Sequence, residues 1–281
     1  MKTKRVKFKD LPPGGFILGA YAPDRKSLLN TYSLHSMNGR IMRAVGQALR
    51  SPKAQERVSE ALYIAGHSIV KDIGGYTQVV PIYDNLVIAD RLQILIQSKI
   101  DENPIIQPVA KCPLPVSRDG VLVECGTENI IPNYDYRELD VVVPESAAEI
   151  LWWRDTYPCF EFSAPELGCS HAVIRYNTTA MERASFMEGR VESGNAPYYI
   201  LAQSIMEWDG KSLSEEQVRS LRRYHYFKDE EEIVEFSKPL LRRLMEAYKE
   251  SHLGADLEVN VKCAGCQGRF PFEPETISHF L

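Results

Sequence analysis

A chain of 281 residues has room for one large domain or two modest ones. Its 44% hydrophobic and 25% charged content is globular and excludes a disordered, collagen-like or membrane-bundle chain. With 33 basic against 38 acidic residues the net charge is −5, which disfavours a protein that grips nucleic acid by neutralising many phosphates.

The N-terminus is basic, but Leu11 to Gly15, reading Leu-Pro-Pro-Gly-Gly, interrupts it before any apolar run can form a signal peptide. A protein kept in the cytosol is expected, where closely spaced cysteines serve as metal ligands or redox groups more often than as disulfides. Ser51 and Pro52 make a helix start, and Val58, Leu62, Ala65, Ile69 and Ile73 recur at helical steps up to Gly74 and Gly75. A second helix is predicted from about Ile88 to Ile100, with Ile88, Leu92, Leu95 and Lys99 on one face, ending before Asn103 and Pro104. Asp90, Arg91, Gln93, Gln97 and Lys99 interrupt this apolar stretch, so it cannot cross a bilayer. Ile105 to Lys111 reads as extended and enters Cys112-Pro113; beyond Cys125-Gly126 another extended piece runs past Ile130.

The second half repeats this order. Tyr198 to Met206 is apolar on one side, and Ser214 followed by Gln217 is a capping box for a short helix through about Arg223. Asp229 to Glu232 repeats the cap before Ile233, Phe236, Leu240, Leu241, Leu244 and Tyr248, a helical series that Pro239 should kink or divide. Gly254 stops it, and Leu257 to Lys262 alternates in strand fashion into Cys263 and Cys266. Helices, strand, cysteine pair, strand: this order in both halves predicts an α+β protein. Two helical modules, residues 1–143 and 144–281, would be joined by a small β-rich element resembling a zinc ribbon. The intervening Trp152, Trp153, Phe160 and Phe162 mark packed structure.

Two cysteines separated by Ala264 and Gly265 at a strand end can aim both thiolates at one tetrahedral ion. The redox alternative wants a helix start after the pair, which Gln267 to Pro271 does not provide. Cys112 and Cys125 read as a second knuckle whose loop is enlarged around Asp119-Gly120, a hairpin-turn dipeptide that would hold the two cysteines close. Structural zinc takes four ligands, so Cys112, Cys125, Cys263 and Cys266 are the candidate set for one structural zinc. Cys159, Cys169 and His171 are a competing set, against the plainer reading of buried cysteines and an ordinary histidine. No phosphate-binding glycine loop, nucleophile elbow, metalloprotease helix or dinucleotide fingerprint is present, and an enzyme is not expected.

The order of Leu11 to Gly15, Ala89-Asp90-Arg91, Cys112-Pro113, Val173-Ile174-Arg175, the late capped helices, Leu257 to Cys266 and the tail Pro271 to Pro274 with Phe280-Leu281 resembles the T4-type phage baseplate hub and tail assembly family. The resemblance implies a non-enzymatic structural or assembly protein. Its partners would be other tail or baseplate proteins, with no membrane and no nucleic acid among them. Its place would be the virion, or the host cytoplasm during assembly, with Val6 to Phe16 and Phe270 to Leu281 as candidate arms. The alternative is a cytosolic zinc-ribbon protein that binds nucleic acid through its basic N-terminus.

Overall fold

The computed structural model describes residues 2–21, 28–33, 68–73, 76–81, 86–154, 157–178, 180–181, 196–223, 232–233, 236–251 and 253–272. These residues are mostly β, in several small antiparallel sheets, which overturns the expectation of two helical modules. Strands β1 (Thr3–Lys7), β2 (Gly15–Tyr21), β3 (Leu28–Thr31), β4 (Ser68–Ile73) and β5 (Tyr76–Pro81) precede helix α1 (Ile88–Glu102). Then come β6 (Ile105–Ile106), β7 (Val109–Lys111), β8 (Pro115–Arg118), β9 (Val121–Glu124), β10 (Glu128–Ile130), β11 (Tyr134–Asp135) and β12 (Asp140–Pro144). After β13 (Leu151–Trp153), β14 (Tyr157–Ala164) and β15 (Cys169–Arg175) stand α2 (Ala196–Ser204), β16 (Ile205–Trp208) and α3 (Glu215–Arg223). The chain continues with β17 (Glu232–Ile233), β18 (Phe236–Ser237), α4 (Lys238–Glu250), β19 (Gly254–Ala255), β20 (Val259–Lys262) and β21 (Arg269–Phe272).

Two helix expectations fail where strand pairing takes the residues instead. Ile69 and Ile73 lie on β4, which pairs antiparallel with β5 so that Ile69 faces Val80 and Val70 faces Val79. Stiff β-branched side chains suit such a ladder better than a helix interior. The rest of that predicted helix, residues 51–67, and Gly74 and Gly75 lie outside the described residues. In the second case Glu232–Ile233 pairs antiparallel with Phe236–Ser237 as β17 and β18, and α4 begins only at Lys238. Pro239 therefore occupies the first helical turn, where its missing N–H is no loss, and does not kink a longer helix. The Leu240 N–H bonds to Ser237 Oγ at 3.3 Å there. Asp229 to Glu231 of the proposed cap are outside the described residues, but the other capping box forms reciprocally. Gln217 N–H donates to Ser214 Oγ at 3.1 Å, and Ser214 N–H to Gln217 Oε1 at 2.7 Å.

The sheet β1-β12-β19 interweaves the sequence, because β12 pairs with β1 on one side, Thr3 to Pro144 through Lys7 to Asp140, and with β19 on the other. Position 143, the expected module boundary, falls inside β12. Gly254 is a strand residue here, not a helix stop; a Cβ on it would lie 3.1 Å from Ala89 Cα, so its hydrogen lets β19 rest against α1. Helix α1 thereby joins two cores. Val87 and Ala89 pack with Phe160, Phe162 and Ile174 of the β13-β14-β15-β16 sheet and with Leu240, Leu241 and Leu244 of α4. Ile96 packs with Phe8, Tyr134, Tyr136, Val141 and Leu257.

The N-terminal end of α1 is fastened by a carboxylate. Asp90, fully buried, accepts the backbone N–H groups of Ile17 at 2.6 Å, Leu18 at 3.2 Å and Gly19 at 2.9 Å, and Gln93 Nε2 donates to Gly15 O at 2.6 Å. Burial pushes the Asp90 carboxyl up to about 7 even though the three N–H groups pull it down. No helix among the described residues is long and apolar enough to cross a membrane.

Candidate metal centre

Strands β7 and β10 form one hairpin and β20 and β21 another, and each ends in a cysteine pair. The apolar support beneath the cysteines is a small core of its own, built from Ala110, Val261 and Phe270. The Sγ atoms of Cys112, Cys125, Cys263 and Cys266 all lie within 4.8 Å of one another. Cys112 to Cys266 is 3.7 Å and Cys125 to Cys263 is 3.7 Å. An ion with Zn–S bonds of about 2.3 Å at the centre of a tetrahedron requires sulfur separations of about 3.8 Å, so the spacing suits such an ion. Cys112, Cys125 and Cys263 are buried and Cys266 is half-buried. Four clustered cysteines of this kind, three of them buried, could hold a structural metal such as zinc. Four sulfurs would close the coordination sphere and leave no position for a substrate.

The two knuckles share a backbone pattern. Cys112 N–H donates to Thr127 O at 2.9 Å, and Gly126 N–H returns a bond to Cys112 O at 3.0 Å. In the second, Cys263 N–H donates to Gly268 O at 2.8 Å, and Gln267 N–H returns a bond to Cys263 O at 3.0 Å. In both, the residue after the trailing cysteine is left-handed, with φ 68° at Gly126 and 62° at Gln267. The enlarged loop is thus an insertion. Cys125 N–H donates to Leu114 O at 2.8 Å and closes the base of the hairpin Pro115–Glu124, whose turn is Asp119 (φ 53°) and Gly120 (φ 79°). Excising Pro115–Glu124 would leave Cys112-Pro113-Leu114-Cys125-Gly126, a compact knuckle with two residues between the cysteines, as in Cys263 to Cys266. The inserted hairpin carries exposed Val121, Leu122 and Val123.

Neighbouring residues shape the cage in ways that cysteine spacing did not reveal. Thr127 Oγ1 lies 3.2 Å from Cys125 Sγ, and Asn129 reaches from β10 across to the second knuckle. Gly265 has to be glycine, since a Cβ there would come within 2.3 Å of Thr127 Oγ1. The Thr127 hydroxyl and N–H pull the Cys125 thiol down. Cys263 is pulled down to about 6, chiefly by the Cys266 N–H, while burial pushes Cys112 up to about 12.

The competing set does not assemble. On the β14–β15 ladder Cys159 faces Arg175 while Cys169 faces Ala164, which separates the two cysteines by roughly 15 Å. Both are buried, and burial pushes their thiols up to about 12 and about 11. Inert thiols of this kind pack as small apolar groups. The His171 ring nitrogen lies 3.3 Å from Glu161 on the exposed side of the sheet. The other histidines, at 35, 67, 225, 252 and 279, lie outside the described residues. Comparison with protein-family models, with curated proteins and with solved structures finds no match for this chain.

Proposed function

We propose that the chain is a non-enzymatic assembly protein whose ribbon is locked by one structural zinc held by Cys112, Cys125, Cys263 and Cys266. On the resemblance drawn from the sequence, its setting is the hub region of a phage contractile-tail baseplate. The observation that carries the assembly reading is the spliced knuckle: a closed four-sulfur cage fixes the base of a hairpin that the cage itself does not need. That hairpin offers Val121, Leu122 and Val123, exposed by 62%, 75% and 38%, to another protein. A protein partner is favoured over nucleic acid because part of the basic N-terminus is already matched: Lys7 lies 2.8 Å from Asp140 and Lys9 2.7 Å from Glu138. The alternative of a nucleic-acid-binding ribbon needs such charges to be free for phosphates.

The test uses the full chain and a variant lacking Pro115–Glu124. Both should bind one zinc per chain and melt within a few degrees of each other. Mass spectrometry of chains co-purified from infected cells should find baseplate proteins with the intact chain and lose them with the variant. An unchanged set of partners, a folded chain free of metal, or retention of nucleic acid that falls steeply with salt would overturn the proposal.

A further inference from the structure

We infer that Asn129 is a positioning residue of the metal centre, reaching from the first knuckle to orient the second and giving the Cys263 thiolate a side-chain N–H; this rests on the zinc-bound reading above. Asn129 is 7% exposed, and its Oδ1 accepts the Ala264 N–H at 2.8 Å, inside the Cys263 to Cys266 turn. Its Nδ2 faces Thr127 O at 2.9 Å, Ala110 O at 3.3 Å and Cys263 Sγ at 3.8 Å. The amide can point only one way. A backbone donor stands on one side and two carbonyls with a thiolate stand on the other, so rotating the group would oppose like partners on both sides.

The knuckle fold alone does not ask for a polar residue here. Asn129 stands four residues after Cys125, and the matching position four residues after Cys266 is Phe270, buried at 2% exposure. One hairpin thus fills the position with an aromatic ring and the other with an amide turned on the partner knuckle. The charge explains the difference. Four thiolates around a divalent cation leave two negative charges in a buried site, and N–H groups on the sulfurs are the available compensation. Cys263 already receives the Cys266 N–H at 3.5 Å and a Gly265 N–H from its own turn, and Asn129 adds a side-chain donor from the other half of the ribbon.

The test compares the wild-type chain with Asn129→Ala, Asn129→Leu and Asn129→Asp. Each is loaded with cobalt(II) to record the thiolate-to-metal charge-transfer band, and with zinc to time its release to a chelating dye. Far-UV circular dichroism serves as the folding control. Removing the N–H leaves a more electron-rich thiolate, so alanine and leucine should move the band to longer wavelength and speed zinc release roughly 10- to 100-fold. Asn129→Asp is isosteric and keeps the acceptor for Ala264 N–H but loses the donors, so it should release zinc at least as fast as alanine. A mere latch between knuckles predicts the reverse order. Folded, loaded variants with the wild-type band and release rate, or an aspartate variant that behaves as wild type, would overturn the inference. A wild-type chain giving no four-thiolate cobalt spectrum would overturn the zinc reading itself, and the inference with it.

Discussion

Asp90 and Cys263 are both fully buried groups whose charged form is an anion, and both are met by N–H donors: Asp90 by Ile17, Leu18 and Gly19 from far along the chain, Cys263 by Cys266 of its own turn and by Asn129 of the other knuckle. Their acidities move in opposite directions. Three backbone N–H groups fail to offset burial at Asp90, which rises to about 7, whereas Cys263 falls to about 6. A carboxylate holds its charge on two compact oxygens that water solvates strongly, so removing water costs it more than it costs a large, polarisable sulfur. Cys263 also gains from its neighbours, since Cys112 and Cys266 donate to it as well. The carboxylate site is therefore complete with backbone donors alone. The sulfur site brings four cysteine Sγ atoms within 4.8 Å of one another and could hold a cation.

The sharpest break of this contrast is to remove a sulfur. Cys263→Ser and Cys112→Ser should each cut zinc affinity by at least about 100-fold, and to a similar extent, because the ligands are equivalent corners of one tetrahedron. Elemental analysis after dialysis against a weak chelator checks this, and full metal content in either variant would contradict it.

Next comes the carboxylate. Asp90→Ala strands three buried N–H groups and should cost about 3 kcal/mol or more, while Asp90→Asn keeps an acceptor and should cost less. The folded value of about 7 lies above the ordinary 3.8, so the folded state holds this proton more tightly than the unfolded chain does. The stability this group contributes is fully present below about pH 4 and is lost as pH rises to about 7, with a slope near 1.4 kcal/mol per pH unit. Denaturant titrations from pH 4 to 8 should show that slope in the wild-type chain and its loss in Asp90→Asn. An identical pH profile for the two would contradict the assignment.

The same contrast separates what the sequence tells from what it withholds. Cysteines at knuckle spacing announce themselves, and Asp119-Gly120 announces the turn that brings Cys112 and Cys125 together. Ser214 and Gln217 likewise carry their capping box in four letters. Asp90 reads as a charge that interrupts an apolar run and as part of the Ala89-Asp90-Arg91 motif, but not as an anchor, because its partners are backbone groups more than seventy positions away and backbone groups have no letter. Asn129 is hidden for the same reason, as three of its bonds go to main-chain atoms. The expected helical modules fail where tertiary pairing overrides period: Ile69 and Ile73 keep a helical spacing but sit opposite β5, and Pro239 starts a helix that periodicity would have begun earlier.

The gentlest test alters the ring of donors without touching an anion. A Cβ at Gly265 would meet Thr127 Oγ1 at 2.3 Å, Thr127 Cβ at 3.1 Å and Cys125 Sγ at 3.4 Å, all on the opposite knuckle. A β-branched side chain has little freedom to retreat, so Gly265→Ala should push the knuckles apart, cost about 1–3 kcal/mol and hasten zinc release. At Gly268 a Cβ would meet Leu114 Cδ1 at 2.4 Å, the free end of a longer side chain that can turn away. Gly268→Ala should therefore cost under about 1 kcal/mol and leave zinc release unchanged. Thermal melts with zinc bound and after chelation separate the two outcomes: the difference between the glycines should vanish once the metal is removed if it arises from the spacing of the sulfurs, and persist if it arises from packing alone.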